Sequence, residues 1–149
     1  MEDRRIVKAT RRISLLLADK STLDGMIFLS QYSDHNSAPE SVGDLLNRKS
    51  FLPVDGPDGI TLVNIEGIIL ATTLRREELD ENTEAMGVRY SVKIQIMDSS
   101  TVTGELLVEL PEESCRVKDY LNLPDRFFRL IHGDRVIYIN RHFILTVTD

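Results

Sequence analysis

Short apolar runs alternate with polar positions along this chain, and the same pattern occurs twice. Val92, Ile94 and Ile96 point one way while Lys93 and Gln95 point the other, the period of two expected of a half-buried strand. Ile13-Ser-Leu-Leu-Leu17 is the corresponding run in the first half. A polar turn follows each run, Asp19 to Gly25 and Asp98 to Gly104, and leads into Met26-Ile-Phe-Leu29 and Leu106-Leu-Val108. Each half therefore opens on a predicted hairpin. A loop comes next, rich in Ser, Asn and Asp in the first half (30–40) and shorter in the second, Leu110-Pro-Glu-Glu-Ser114. Val42, Leu45 and Leu46 then match Val117, Tyr120 and Leu121, the spacing of one buried helix face. Ser41 with Asp44 three positions on predicts an N-terminal cap. Asn47 and Asn122 fall where each helix should stop, and Asn tolerates the left-handed backbone used there. Phe51-Leu-Pro-Val54 and Phe127-Phe-Arg-Leu130 start another strand, with turns at 55–59 and 132–134 before β-branched runs. Asn64-Ile-Glu-Gly67 and Asn140-Arg-His-Phe143 interrupt those runs ahead of a last strand.

The two halves are thus predicted to be copies of one unit, five strands with one short helix inserted after the second. Leu17-Ala-Asp-Lys-Ser-Thr-Leu-Asp-Gly25 answers Ile96-Met-Asp-Ser-Ser-Thr-Val-Thr-Gly104, and Val42-Gly-Asp-Leu-Leu-Asn47 answers Val117-Lys-Asp-Tyr-Leu-Asn122. A repeat makes one supersecondary unit the question to solve. The expected division is a first repeat over 1–73, an acidic linker over 74–87 with one helical turn, and a second repeat over 88–149. A unit this small has little core of its own, so the copies should pack on each other or on another chain.

Charge narrows the partners. The net charge is −6, but residues 1–12 carry +3, with Arg4, Arg5, Lys8, Arg11 and Arg12 against Glu2 and Asp3, and the body is acidic. An acidic body disfavours general nucleic-acid binding, which rests on neutralising phosphates. The basic segment leaves a contact with an anionic partner open, beside the plainer reading of a solvated strand face. Cys115 is the sole cysteine, which fits a reducing cytoplasm. No signal-like N-terminus and no membrane-length apolar run is evident, so a cytoplasmic location without a membrane partner is expected.

Enzyme chemistry finds little support. His35, His132 and His142 have no metal-ligand spacing with each other, with Cys115 or with a carboxylate cluster. Asp19 and Asp98 recur at one turn position, and Asp44 and Asp119 at one helix position. A catalytic pair needs two different environments to separate its pKa values, and repeat-related aspartates suit turns and caps instead. There is no Gly-rich phosphate loop and no nucleophile elbow. The expectation is a non-enzyme without cofactor.

The strand, Asp-and-Gly turn, strand order of each half resembles the first signature of Sm proteins. Ile139-Asn-Arg-His-Phe-Ile-Leu-Thr-Val147 resembles the second, a strand ending in Ile-Arg-Gly before a tight turn and a closing strand. The resemblance implies a mainly β fold, two tandem five-stranded Sm/SH3-like barrels related by a pseudo-twofold. It also implies edge pairing in which the fourth strand of one unit meets the fifth of the next. Those strands would be Ile60–Val63 or Val136–Ile139 against Ile68–Ala71 or Phe143–Val147, with one such edge satisfied inside the tandem pair. The function then expected is a binding or scaffold module that forms homo-oligomers or takes a protein partner. An Sm-like RNA-binding role is the alternative, through Arg129, Arg135, Asn140 and Arg141 with Tyr138 and Phe143 as stacking platforms. The chain departs from Sm proteins in placing its helix after the second strand and in reading Val63-Asn-Ile-Glu-Gly67 without arginine.

Two further resemblances add readings. Arg116-Val-Lys-Asp-Tyr-Leu-Asn122 is similar to an Arg-Val-x-Asp-aromatic-Leu-Asn element of an uncharacterised bacterial domain family, which implies no function. Arg4, Arg5, Arg11 and Arg12 ahead of Asp19, Ser21 and Gly25 resemble the cyclic di-GMP site of PilZ domains, in which arginines would pair with phosphate and stack on guanine. The turn is one residue longer than the PilZ motif. The same spacing recurs at Asp98, Ser100 and Gly104 with no arginine cluster before it, which favours turn geometry.

Overall fold

A computed structural model describes residues 8–30 and 40–149, with the side chain of Lys8 excepted. Arg4, Arg5, His35 and most of the loop over 30–40 lie outside the described residues. The fold is mainly β, as expected. The first half contributes β1 (Lys8–Leu17), β2 (Thr22–Ser30), α1 (Val42–Arg48), β3 (Phe51–Gly56), β4 (Gly59–Asn64) and β5 (Ile68–Leu74). The second contributes β6 (Val88–Ile96), β7 (Thr101–Val108), α4 (Val117–Leu121), β8 (Phe127–His132), β9 (Arg135–Asn140) and β10 (Ile144–Thr148). Between them lie two short helices, α2 (Arg75–Glu78) and α3 (Glu81–Ala85), where a single turn was expected. Asp80 caps α3 by accepting from the Thr83 backbone N–H, which lets a second turn start afresh.

The two halves repeat in register as well as in sequence. The β3–β4 pairs Phe51↔Asn64 through Gly56↔Gly59 have their counterparts in Phe127↔Asn140 through His132↔Arg135. The pairing of β1 with β5 shifts after Leu16, and that of β6 with β10 shifts at the corresponding place. Asn64 and Asn140 each cap a 3-10 turn by accepting from the backbone two residues on. Ser41 and Asp44 form the expected capping box on α1.

The ten strands of the described residues join in one antiparallel sheet, in the order β10-β6-β7-β8-β9-β5-β1-β2-β3-β4. The five strands of each half are neighbours in it, in the order fifth, first, second, third, fourth. β5 pairs with β1 on one side and with β9 on the other, so the two halves share a continuous sheet whose ends, β10 and β4, do not meet. Two buried clusters lie in it. The first contains Ile13, Ile27, Leu46 and Leu52 and also takes Leu107, Phe127, Ile131, Val136 and Tyr138 from the second half. The second cluster centres on Ile94, Leu106, Leu130 and Ile139.

Two local expectations are corrected. Gly25 and Gly104 belong to strands β2 and β7 rather than to the turns. A Cβ on Gly25 would stand 2.7 Å from the Asp55 carbonyl oxygen, and one on Gly104 would stand 2.5 Å from that of Ile131. They are small because β3 and β8 cross there. The left-handed residues of the turns are Lys20 (φ 71°) and Ser99 (φ 76°). Neither Asn47 nor Asn122 adopts that conformation. Asn47 lies within α1 and its side chain accepts from the Phe127 backbone N–H across the joint, while Asn122 ends α4 near φ −93°, ψ 4°.

Candidate functional site

The joint between the halves shows what this unit does with its surfaces. β9 pairs with β5 through Leu70↔Ile139, Ala71↔Tyr138, Thr72↔Ile137, Thr73↔Val136 and Leu74↔Arg135. These are the fourth strand of one copy and the fifth of the other. Side-chain contacts surround the ladder. Asn140 donates to the carbonyl of Ile68 at 2.9 Å, and the Arg126 guanidinium donates to that of Lys49 at 2.9 Å. Tyr138 packs on Gly43 of α1, where an added Cβ would lie 2.8 Å from the ring. Its hydroxyl donates to Glu78, which also accepts from the Gly43 backbone N–H and from Arg11 at 2.9 Å. Burial pushes the Glu78 carboxyl above its ordinary value, against the lowering effect of these donors. Burial and the adjacent Glu78 hold the Tyr138 phenol well above its own.

Among the described residues, the two strands at the ends of the sheet, β4 and β10, are the counterparts of β9 and β5 and have a partner on one side only, β3 and β6. The copies differ sharply in exposure there. In the second half Leu107, Phe127, Val136 and Tyr138 are 2, 2, 0 and 4% exposed, all buried in the first cluster. Their counterparts in the first half, Phe28, Phe51, Ile60 and Leu62, are 40, 55, 67 and 64% exposed. On the other end, Leu145 of β10 is exposed while its counterpart Ile69 of β5 is buried. The helix faces follow suit. Val42, Leu45 and Leu46 are buried, whereas Val117, Tyr120 and Leu121 are half-buried around the second cluster. An exposed apolar strand edge is a template for another strand, and an exposed apolar patch marks an interaction surface.

Of the residues suggested for RNA, Arg129 and Tyr138 are register partners on β8 and β9 and line one depression, and Arg135 lines another. Tyr138 and Asn140 are buried in the joint. Arg129 pairs with Glu109 at 3.2 Å. Arg141 donates to the carbonyls of Leu121 and Leu123 and lies 5.3 Å from the centre of the Phe128 ring. Arg135 is exposed beside Asp134, and it lines one depression with Arg12 of the proposed nucleotide set. Arg11 faces a different cleft, where it shares the lining with Glu40, Asp44, Glu77, Glu78 and Asp80. Asp19 accepts from both the backbone and the hydroxyl of Ser21, Asp98 does the same with Ser100, and these bonds hold both carboxyls below the usual range. The two turns are thus the same local structure with and without upstream arginines. Cys115 is buried with its thiol near the Val108 carbonyl, His132 contacts the Thr103 carbonyl, and His142 meets Phe143 edge-on. Among the described residues no group of three or more His, Cys, Asp or Glu is placed to hold a metal ion, and no helix is long and apolar enough to cross a membrane.

Phe28 and Phe51 belong to the same exposed surface as the edge strands, although neither was among the residues expected there. The signal was available: both lie at repeat positions whose partners, Leu107 and Phe127, are also apolar. Comparison of the chain with protein-family models, curated proteins and solved structures finds no match.

Proposed function

We propose that this chain is a non-enzymatic binding and scaffold module that works through edge-strand pairing and self-association. Each half is read as a small, strongly bent unit of the Sm/SH3-like kind, with its fourth and fifth strands as the pairing elements. The observation that carries the reading is the sheet order, which leaves β4 and β10 at the two ends with Ile60, Leu62 and Leu145 exposed on them. Such side chains gain about 1–2 kcal/mol each when their remaining surface is covered. That total is of the order of the orientational cost of association, so assembly should depend on concentration.

An RNA-binding role is the second reading, favoured by the shared depression of Arg12 and Arg135. Light scattering after size exclusion at low salt, with absorbance read at 260 and 280 nm, separates the two. The expected result is a protein-only spectrum and a mass that rises above the 17.0 kDa of one chain as concentration increases. With four Tyr and no Trp, the chain absorbs weakly, so bound nucleic acid would dominate the spectrum. A high 260 nm signal that salt removes would transfer the function to RNA.

A further inference from the structure

The joint inside the chain also specifies the joint between chains. Resting on the edge-pairing reading above, we infer that the partner of each free edge is a second copy of this chain, docked head to tail, with β4 of one copy on β10 of the next. The warrant is the repeat itself. The second half docks onto the first through β9 and through Leu107, Phe127, Val136 and Tyr138. The first half carries the same strand and an apolar residue at each of those positions, and it exposes all four. The receiving surface recurs as well. The second cluster has Ile144, Val147, Val117, Tyr120 and Leu121 half-buried at its margin, where the first cluster is closed by side chains from the docked half.

The repeat carries the register over. Leu70↔Ile139, Ala71↔Tyr138 and Thr72↔Ile137 become Thr146↔Val63, Val147↔Leu62 and Thr148↔Thr61 between chains. Two of the polar contacts transfer too, whereas those of Arg126 and Tyr138 do not, since Ser50 and Leu62 stand at their counterpart positions. Asn140 donates to the Ile68 carbonyl, so Asn64 donates to the Ile144 carbonyl of the next chain. Asn47 accepts from the Phe127 N–H, so Asn122 accepts from the Phe51 N–H of the next chain. Asn64 and Asn122 keep the same residue as Asn140 and Asn47, although the internal joint uses only the latter pair in this way. One position differs in a compensating sense. Tyr138 packs on Gly43, whereas the smaller Leu62 would meet Lys118, whose aliphatic stem can lie along it. A surface that pairs with a different surface of the next copy makes a heterologous contact, which closes into a ring or extends as a filament.

Two edge-blocked variants test the arrangement. One carries Ile60→Lys with Leu62→Lys on β4, and the other Leu145→Lys with Thr148→Lys on β10. All four positions are exposed, so each variant should keep the wild-type melting temperature as a single chain. The expected result, by sedimentation at a concentration where wild type assembles, is that each variant alone stays at one chain. Mixed in equal amounts, they form a complex of two chains and no more, because one intact β4 and one intact β10 remain per pair. If either variant still assembles alone, or the mixture stays at single chains, the head-to-tail inference is overturned while edge-driven association stands. If wild type itself stays at one chain across the concentration series, the underlying scaffold reading fails as well.

Discussion

At the scale of single residues, Glu78 is the most consequential side chain of the linker. Its carboxylate is 1% exposed and collects donors from β1, α1 and β9, so it ties both halves to the segment that joins them. Its raised pKa has a definite consequence for stability. A carboxyl whose folded value lies above its unfolded value binds more protons in the folded state, so its contribution is full below the ordinary value of 4.5 and is lost as pH rises through the raised value. The Glu78→Gln variant lacks this titration. Melting temperatures measured from pH 7 down to pH 4.5 should therefore show wild type gaining on the variant as acid is added, and parallel curves would mean that the carboxyl titrates normally. This role is not legible from local sequence, because nothing nearby marks a glutamate in an acidic linker as buried. Tyr138, Gly43 and Arg11 reach it from distant parts of the chain.

At the scale of elements, the hairpins and their crossings decide the shape of each half. The turn at Asp19-Lys-Ser21 was legible because its hydrogen bonds are local, and so was the capping box of α1. The place of Gly25 and Gly104 was not, because the need for a missing Cβ comes from β3 and β8, which cross the strands from elsewhere. Gly25→Ala should therefore cost about 1–3 kcal/mol by forcing backbone apart. Gly104→Ala should cost a similar amount. At this chain length each lowers the thermal midpoint by roughly 2–4 °C per kcal/mol. Calorimetry on the two variants checks the point, and unchanged midpoints would mean that the crossings are looser than described. Asn47 teaches the same lesson from the other side. A helix-ending asparagine is a sound local reading, yet its side chain is used across the joint.

At the scale of the whole molecule, the repeat made the strand content and the order of elements readable, and a joint between fourth and fifth strands was expected. What the sequence could not supply was which fourth and fifth strands meet, since β4 and β9 both carry apolar runs. The fold resolves this by docking the second half on the first, which leaves the first half's matching surface uncovered. The central claim is that β4 and β10 act as pairing edges. Amide hydrogen exchange of wild type, followed over a concentration series, addresses it most directly. Amides in Gly59–Asn64 and Ile144–Thr148 should become protected together as concentration rises, while those of β5 and β9, already paired, should be protected throughout. Exchange at β4 and β10 that stays fast and independent of concentration would contradict the account.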